Sequence, residues 1–280
     1  MVESEPPNPA VGAWLHGVVP EAGPAGHGDG AFGPAALAGI VGMDGGRVRA
    51  VSAAGLVAVV SAAPLAEYGE QALRRNLEDL AWLERAARAH HAVVAALARR
   101  GPVVPARLAT VHTDDERVAR SLTARRAELL ATLDRLTGRG EWGVKGYLVP
   151  GAPAVDPEPV GAGGVGTAYL RRRRAQLTAR EQGHRSADAA AEAVHDALCQ
   201  VAVSGRRHAP QDRRLSGASA PMVLNGAYLV DVSALPRFTE LVGSLGGRHP
   251  GLRLELTGPW PAYSFVTDRP EPALTVRQPA

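Results

Sequence analysis

Cysteine, lysine and aromatic residues are all scarce in this chain of 280 residues, and each scarcity removes a class of explanation. A single cysteine, Cys199, excludes an intramolecular disulfide framework and any multi-cysteine zinc site, and suits a reducing cytosolic compartment. Long apolar runs are missing too. The longest, from Ala53 to Ala66, is interrupted by Gly55, Ser61 and Pro64 and falls short of the roughly 20 residues a membrane-spanning helix needs. The amino terminus is acidic and then proline-rich, without the basic and apolar regions of a secretory signal, so a soluble, cytoplasmic protein is expected. No P-loop, H-E-x-x-H or G-x-S-x-G string announces standard hydrolase or kinase chemistry.

What is present is charge in near balance: 31 basic against 28 acidic side chains, a net +3. That balance argues against reading the pI of 9.4 as a sign of nucleic-acid binding by the whole chain. Lys145 is the only lysine among those cations, a chance survivor of arginine-rich usage or a group kept for its compact charge.

The order of elements predicts two α+β domains, 11–138 and 139–267, flanked by disordered tails at 1–10 and 268–280. In the first domain, strands are expected at Val11 to Val19, Gly46 to Ser52 and Leu56 to Ser61. Leu73, Leu77, Leu80, Leu83, Ala87, Val94 and Leu97 then fall at helical spacing from about Tyr68 to Arg99, a span long enough to suggest a break near Leu80. Thr113 to Glu116 has the form of a capping box opening a helix that carries Val118, Leu122, Leu129, Leu133 and Leu136 and ends at Gly138.

The second domain reads as β-α-β-β-α-β. Its strands are Glu141 to Val149, Arg207 to Ser216, Met222 to Val230 and Leu252 to Thr257. Its helices are Thr167 to Val203, interrupted near Gly183, and Ala234 to Leu245, capped by Ser233. That order is ferredoxin-like, with the first and third strands central. Polarity agrees: the first and third strands are apolar, while Arg207 to Ser216 is charged, as an edge should be.

Four motifs invite chemistry. Gly161 to Gly166 matches G-x-G-x-x-G before a helix, but a proline-rich insert separates it from the preceding strand, so a chance match is favoured and no cofactor is expected. His195 and Cys199 share a helix face at metal-ligand spacing, but third and fourth ligands are not evident and no metal is expected. Arg171, Arg172, Arg173 and Arg174, with Tyr147 and Tyr228 on adjacent central strands, form the alternative: RNA read by a ferredoxin-like sheet. Against it, four successive arginines spread around a helix and suit a solvated face. The most distinctive string is Leu254 to Phe265, where Pro259 and Pro261 flank Trp260, with Tyr263 and Phe265 close behind. Such a segment either clasps the sheet or offers rings to a partner, and physics alone favours the clasp.

With this string the chain resembles the gas vesicle protein F/L family. The resemblance is carried by Gly138-Arg139-Gly140-Glu141-Trp142-Gly143-Val144-Lys145, by Ala168 to Arg173, by Ala227 to Val230 and by the Thr-Gly-Pro-Trp-Pro core of Leu252 to Phe265. Pro105 to Val111 resembles the family's Pro-x-Arg-Phe-Gly-Thr segment with departures at Leu108 and Ala109, and Ala262 stands where the family has proline. The resemblance spans about residues 11 to 266. It implies two α+β domains, the second a modified ferredoxin-like fold, and no catalysis. It also implies a minor vesicle component or assembly factor, in the cytoplasm and on the vesicle, its gas-facing side included, that binds the small hydrophobic shell protein and other accessory proteins, not nucleic acid or membrane. Partner-binding candidates on these motifs are Trp142, Lys145, Arg171, Arg172, Trp260 and Tyr263.

Overall fold

The computed structural model of the chain describes residues 10–21, 32, 34–149, 165–211 and 220–266. Two compact units divide it: unit 1 runs up to Arg139 and resumes at Pro261, and unit 2 is Gly140–Trp260. Mixed helix and antiparallel sheet are found in both, and among the described residues no helix is long and apolar enough to cross a membrane.

Unit 1 begins with β1 (Val11–Pro20), a short helix α1 (Pro34–Leu37), and the hairpin β2 (Val48–Ala53) and β3 (Leu56–Pro64). Ala54 and Gly55 make the two-residue turn with φ of +55° and +77°, so the glycine takes the left-handed position without strain and Ala54 does so at some cost. Three helices follow: α2 (Leu65–Tyr68), α3 (Glu70–Asn76) and α4 (Leu80–Ala98). The expected long helix is thus broken twice. Asp79 caps α4 by accepting from the amides of Ala81 and Trp82, which fixes the second break just before Leu80. Next come β4 (Val104–Pro105), β5 (Val111–His112), α5 (Asp115–Ala124) and α6 (Arg126–Leu136).

The expected capping box is displaced by one residue. Asp114 is the cap, accepting from the Arg117 amide at 2.7 Å, while the Thr113 hydroxyl donates to the Asp114 carboxylate. Amide and hydroxyl hold that carboxyl below its usual pKa. A carboxylate beside the positive end of a helix competes well for the cap, and the sequence places one next to the threonine. The single helix expected after it is also two, parted at Arg125.

The sheet of unit 1 has the order β2-β3-β1-β4, with β5 also pairing β1. Both faces are covered, which explains why β1 is buried at nearly every residue rather than alternating. Ala13, Leu15, Ala58 and Val60 pack under Val118, Leu122, Leu129 and Leu133 of α5 and α6. On the opposite face Val57 and Val59 meet Val93, Val94 and Leu97 of α4. The register of β1 on β3 shifts between Leu15 and Gly17, so His16 is the bulge residue, turned into the layer beneath α4.

That layer is polar at its centre. The Trp14 indole donates to His90 Nδ1 at 3.1 Å, which leaves the proton on His90 Nε2 to donate to the Ala106 carbonyl at 3.1 Å. His16 stacks on His90 and its Nε2 hydrogen-bonds Ser61 Oγ at 2.8 Å. Burial holds both rings neutral, lowering His16 to a pKa of about 3 and His90 to about 4. The segment after Trp260 also belongs to this unit: Phe265 is buried, its carbonyl accepts from the Arg135 guanidinium, and Val266 packs against the α5 and α6 core.

Unit 2 consists of β6 (Arg139–Leu148), α7 (Val165–Cys199), β7 (Ser204–Arg207), β8 (Met222–Asp231), α8 (Leu235–Arg248) and β9 (Leu252–Trp260), with the sheet order β7-β8-β6-β9. Ala187, Ala191, Val194 and Leu198 of α7 and Phe238, Val242 and Leu245 of α8 cover one face, packing on Val144, Leu224, Tyr228 and Val230. Several expectations are corrected here. α7 is not interrupted at Gly183, since one exposed glycine costs a helix only about 1 kcal/mol. The polar edge strand lies at Ser204–Arg207 rather than 207–216, because the chain turns directly from α7 and Val203 already donates to the Leu229 carbonyl; residues 212–219 lie outside the described residues. Ser233 sits in a 3-10 turn and does not cap α8. The last strand continues to Trp260 instead of ending at Thr257.

Candidate functional site

Two of the resemblance motifs, far apart in sequence, lie side by side on β6 and β9. The strands pair antiparallel, Lys145 opposite Glu255 and Tyr147 opposite Arg253, until the register shifts between Glu141 and Gly143 and places Glu141 opposite Trp260. At that shift each strand lodges a tryptophan on the other's glycine. A Cβ on Gly258, whose φ is +132°, would sit 3.0 Å from the Trp142 ring, and one on Gly143 would sit 2.7 Å from Thr257 Oγ1 and 3.9 Å from Trp260 Nε1. The Trp260 indole donates to Thr257 Oγ1 at 3.2 Å, and that hydroxyl donates to the Gly143 carbonyl at 3.4 Å. The glycines in both motifs are therefore the floors on which the indoles lie.

This geometry sorts the sequence-derived candidates. Trp142 lies on the helix-covered face, partly buried against the core with Leu254 and Leu256. Trp260 remains 45% exposed and shares the opposite face with Thr257, Glu255, Arg253, Lys145 and Tyr147. Lys145 Nζ donates to Gln211 Oε1 at 3.5 Å, and the Arg253 guanidinium sits 4.7 Å above the Tyr147 ring while pairing with Glu255. Tyr263 belongs to unit 1, where its hydroxyl is 3.4 Å from His91 Nδ1. The side chains of Arg171 and Arg172 lie outside the described residues, as do Gly161 to Gly164 of the glycine-rich string; Val165 and Gly166 already belong to α7. Within the Leu254 to Phe265 string the rings thus divide: Phe265 packs inward, while Trp260 stays accessible.

The other motifs are absorbed by packing. Tyr228 is fully buried between α7 and α8, its ring tilted against Phe238, and Tyr147 is 5% exposed, so neither can stack on a base as the RNA alternative requires. The Tyr228 hydroxyl and His195 Nδ1 hydrogen-bond at 2.8 Å, and Cys199 Sγ lies 3.6 Å from His195 Nε2. Burial raises the Tyr228 hydroxyl and the Cys199 thiol, and with Arg207 nearby it lowers His195, so all three stay neutral. Among the described residues no three metal-ligating side chains gather. The polar centre of unit 1 leaves only faint marks in the sequence: His16 inside the β1 run and the adjacent His90 and His91 on α4.

Comparison with known proteins places this architecture. The fold matches two solved structures: the gas vesicle protein GvpF from Anabaena sp. PCC7120, at a TM-score of 0.60 and 19% identity over 92% of this chain and 97% of that one, and GvpF from Microcystis aeruginosa, at 0.58 and 18% over 91% and 99%. The family model for gas vesicle synthesis protein GvpL/GvpF matches residues 12–267. Gas vesicle protein L of Streptomyces sp. (strain CB03234) is 44% identical over 228 residues, 80% of this chain and 85% of that protein. The chain belongs to the gas vesicle GvpL/GvpF family, and its role lies in gas vesicle formation.

Proposed function

We propose that the chain is an accessory protein, a minor vesicle component or assembly factor, that binds the small hydrophobic shell protein and keeps it from aggregating before it joins the wall or helps the wall nucleate. The observation that carries the reading is Trp260: a large ring held by Thr257 and the Gly143 floor, left 45% exposed on a motif of this family. Rigid, half-exposed aromatics are the residues that most often anchor a protein interface. Lys145, on the same sheet face, and Tyr263, Arg171 and Arg172 are the further contacts proposed, while Trp142 supports Trp260 from beneath by holding Gly258. The partner chemistry is that of apolar protein surface, with other accessory proteins as additional partners, and the role is binding rather than catalysis, in the cytoplasm and at the vesicle's gas-facing side. The strand order of unit 2, with β8 and β6 central and β7 and β9 outside, supports reading it as a modified ferredoxin-like domain joined to an α+β first domain.

The test is retention of the purified shell protein by the immobilised full chain. Wild type should retain it, and Trp260→Ala should weaken retention at least about tenfold, the loss of an interface anchor, with little change in thermal midpoint. No association by wild type, together with normal vesicles in a strain lacking the gene, overturns the reading.

A further inference from the structure

The two edges of the unit 2 sheet are built differently. β7 offers only four residues, two of them arginines, a short and self-repelling edge. β9 offers nine, and among the described residues no strand pairs with its outer side. Which of its backbone groups point outward follows from the ladder. Val149 donates to the Gly251 carbonyl, so that pair is the hydrogen-bonded kind, and by alternation 147/253 and 145/255 are too. The intervening residues Leu252, Leu254 and Leu256 then turn their N–H and C=O away from β6. Two bonds agree: the Leu148 amide goes to Pro221 on the β8 side, and the Leu252 amide goes to His249.

A second strand added antiparallel to β9 pairs the outward groups of Leu254 and Leu256 and the Leu252 carbonyl, the Leu252 amide being held by His249. If that strand is β9 of another copy, the outward groups allow Leu254 to face Leu252, Leu254 or Leu256 of the partner. Facing Leu252 sets Arg253 against Arg253, and facing Leu256 sets Glu255 against Glu255. Only the middle register, Leu254 on Leu254, sets each Arg253 against the other copy's Glu255, and it does so in the non-hydrogen-bonded positions where side chains approach most closely. The same register aligns Leu252 with Leu256 on the helix-covered face, where Leu254 and Leu256 are only partly buried. Arg253 and Glu255 are 51% and 42% exposed and now pair within the strand, so they need only exchange partners.

We infer that β9 is a self-complementary edge through which two copies of this chain associate, antiparallel and centred on Leu254, into one continuous sheet of eight strands. The partner is a second copy, selected by the alternation of Arg253 and Glu255 along an edge with outward-facing leucine amides. Four main-chain bonds and two ion pairs make a concentration-dependent association rather than an obligate dimer, weakened by salt.

Light scattering on the full chain over a range of concentration tests it. Wild type should approach twice the 29.1 kDa monomer mass at high concentration and low salt. Arg253→Glu and Glu255→Arg should each remain monomeric, since each sets like charges opposite one another, with far-ultraviolet spectra and melting unchanged because both residues are exposed. Mixed in equal amounts, the two variants should form a heterodimer, because one strand then carries glutamate at both positions and faces a strand that carries arginine at both. A monomeric wild type, a single variant that still dimerises as wild type does, or a mixture that fails to associate overturns the proposal. Loss of shell-protein retention with dimerisation intact bears on the functional reading alone.

Discussion

Beneath α4 of unit 1, Trp14, His90, His16 and Ser61 are linked by stacking and hydrogen bonds at the centre of a sheet covered on both faces. Beneath α7 and α8 of unit 2 the centre is Val144, Leu198, Leu224 and Phe238, and the polar atoms of Tyr228 and His195 meet at its side. The first interior is specified by directional bonds and holds two buried histidines at its centre; the second is specified by shape, and its one histidine, His195, lies at the margin and is lowered less. Burying polar groups is tolerable only while every partner is in place, so unit 1 should fail sharply under conditions that unit 2 survives.

Acid separates the two most strongly. Histidine in the unfolded chain titrates near 6.5, whereas His16 and His90 are lowered by burial to about 3 and about 4. Below 6.5 the unfolded chain therefore binds protons that the folded chain refuses, and stability, full above that pH, falls as pH drops toward 4. For the pair the loss is on the order of 5 kcal/mol. Amide exchange at pH 7 and pH 4 should show β1 and β3 losing protection while β6 and β8 keep most of theirs. Equal protection of both sheets at pH 4 would mean that the two imidazoles are not held neutral.

Overpacking should reverse the asymmetry. Gly205 lets β7 pass beneath α7: a Cβ there would meet Cys199 Sγ at 2.5 Å and the Tyr228 ring at 3.2 Å. Gly205→Ala should cost unit 2 about 1–3 kcal/mol, read as a lower denaturant midpoint, and leave unit 1 unchanged. Adding Cys199→Ala should recover part of the loss, since it removes the nearer obstacle; no recovery would place the strain against the Tyr228 ring instead.

How much of this was legible in the sequence follows from the range of each interaction. Helical stripes such as Phe238, Val242 and Leu245 repeat within one element, and the strand alternation of β9 does as well, so both could be read directly. The break at Arg125 could not, because arginine carries no stop signal to outweigh the apolar period around it. The cap at Asp114 was missed by one position because threonine and aspartate both cap well and only the backbone decides between them. The tryptophan-glycine exchange between β6 and β9 depends on a register shift involving residues more than a hundred positions apart. Its participants, Trp142, Gly143, Gly258 and Trp260, were visible as motifs, but their mutual contact was not.

The smallest effect concerns one glycine in each unit, one missing and one superfluous. Ala109 holds φ at +64°, a position that suits glycine, in the turn from Arg107 to Thr110, which is closed by the Thr110 amide and hydroxyl on the Arg107 carbonyl. A side chain in the left-handed region costs about 1 kcal/mol, partly offset because glycine is freer in the unfolded chain. Gly183 lies mid-helix in α7, exposed, with nothing within 4 Å of an added Cβ. There alanine is the better residue by about 1 kcal/mol. Ala109→Gly should therefore raise the stability of unit 1 by about 0.5 kcal/mol, and Gly183→Ala that of unit 2 by up to about 1 kcal/mol. Hydrogen exchange would show each gain confined to its own unit. A gain from Ala109→Gly that appeared equally in unit 2 would mean that the two interiors unfold together, and the contrast between them would then be one of composition without consequence for stability.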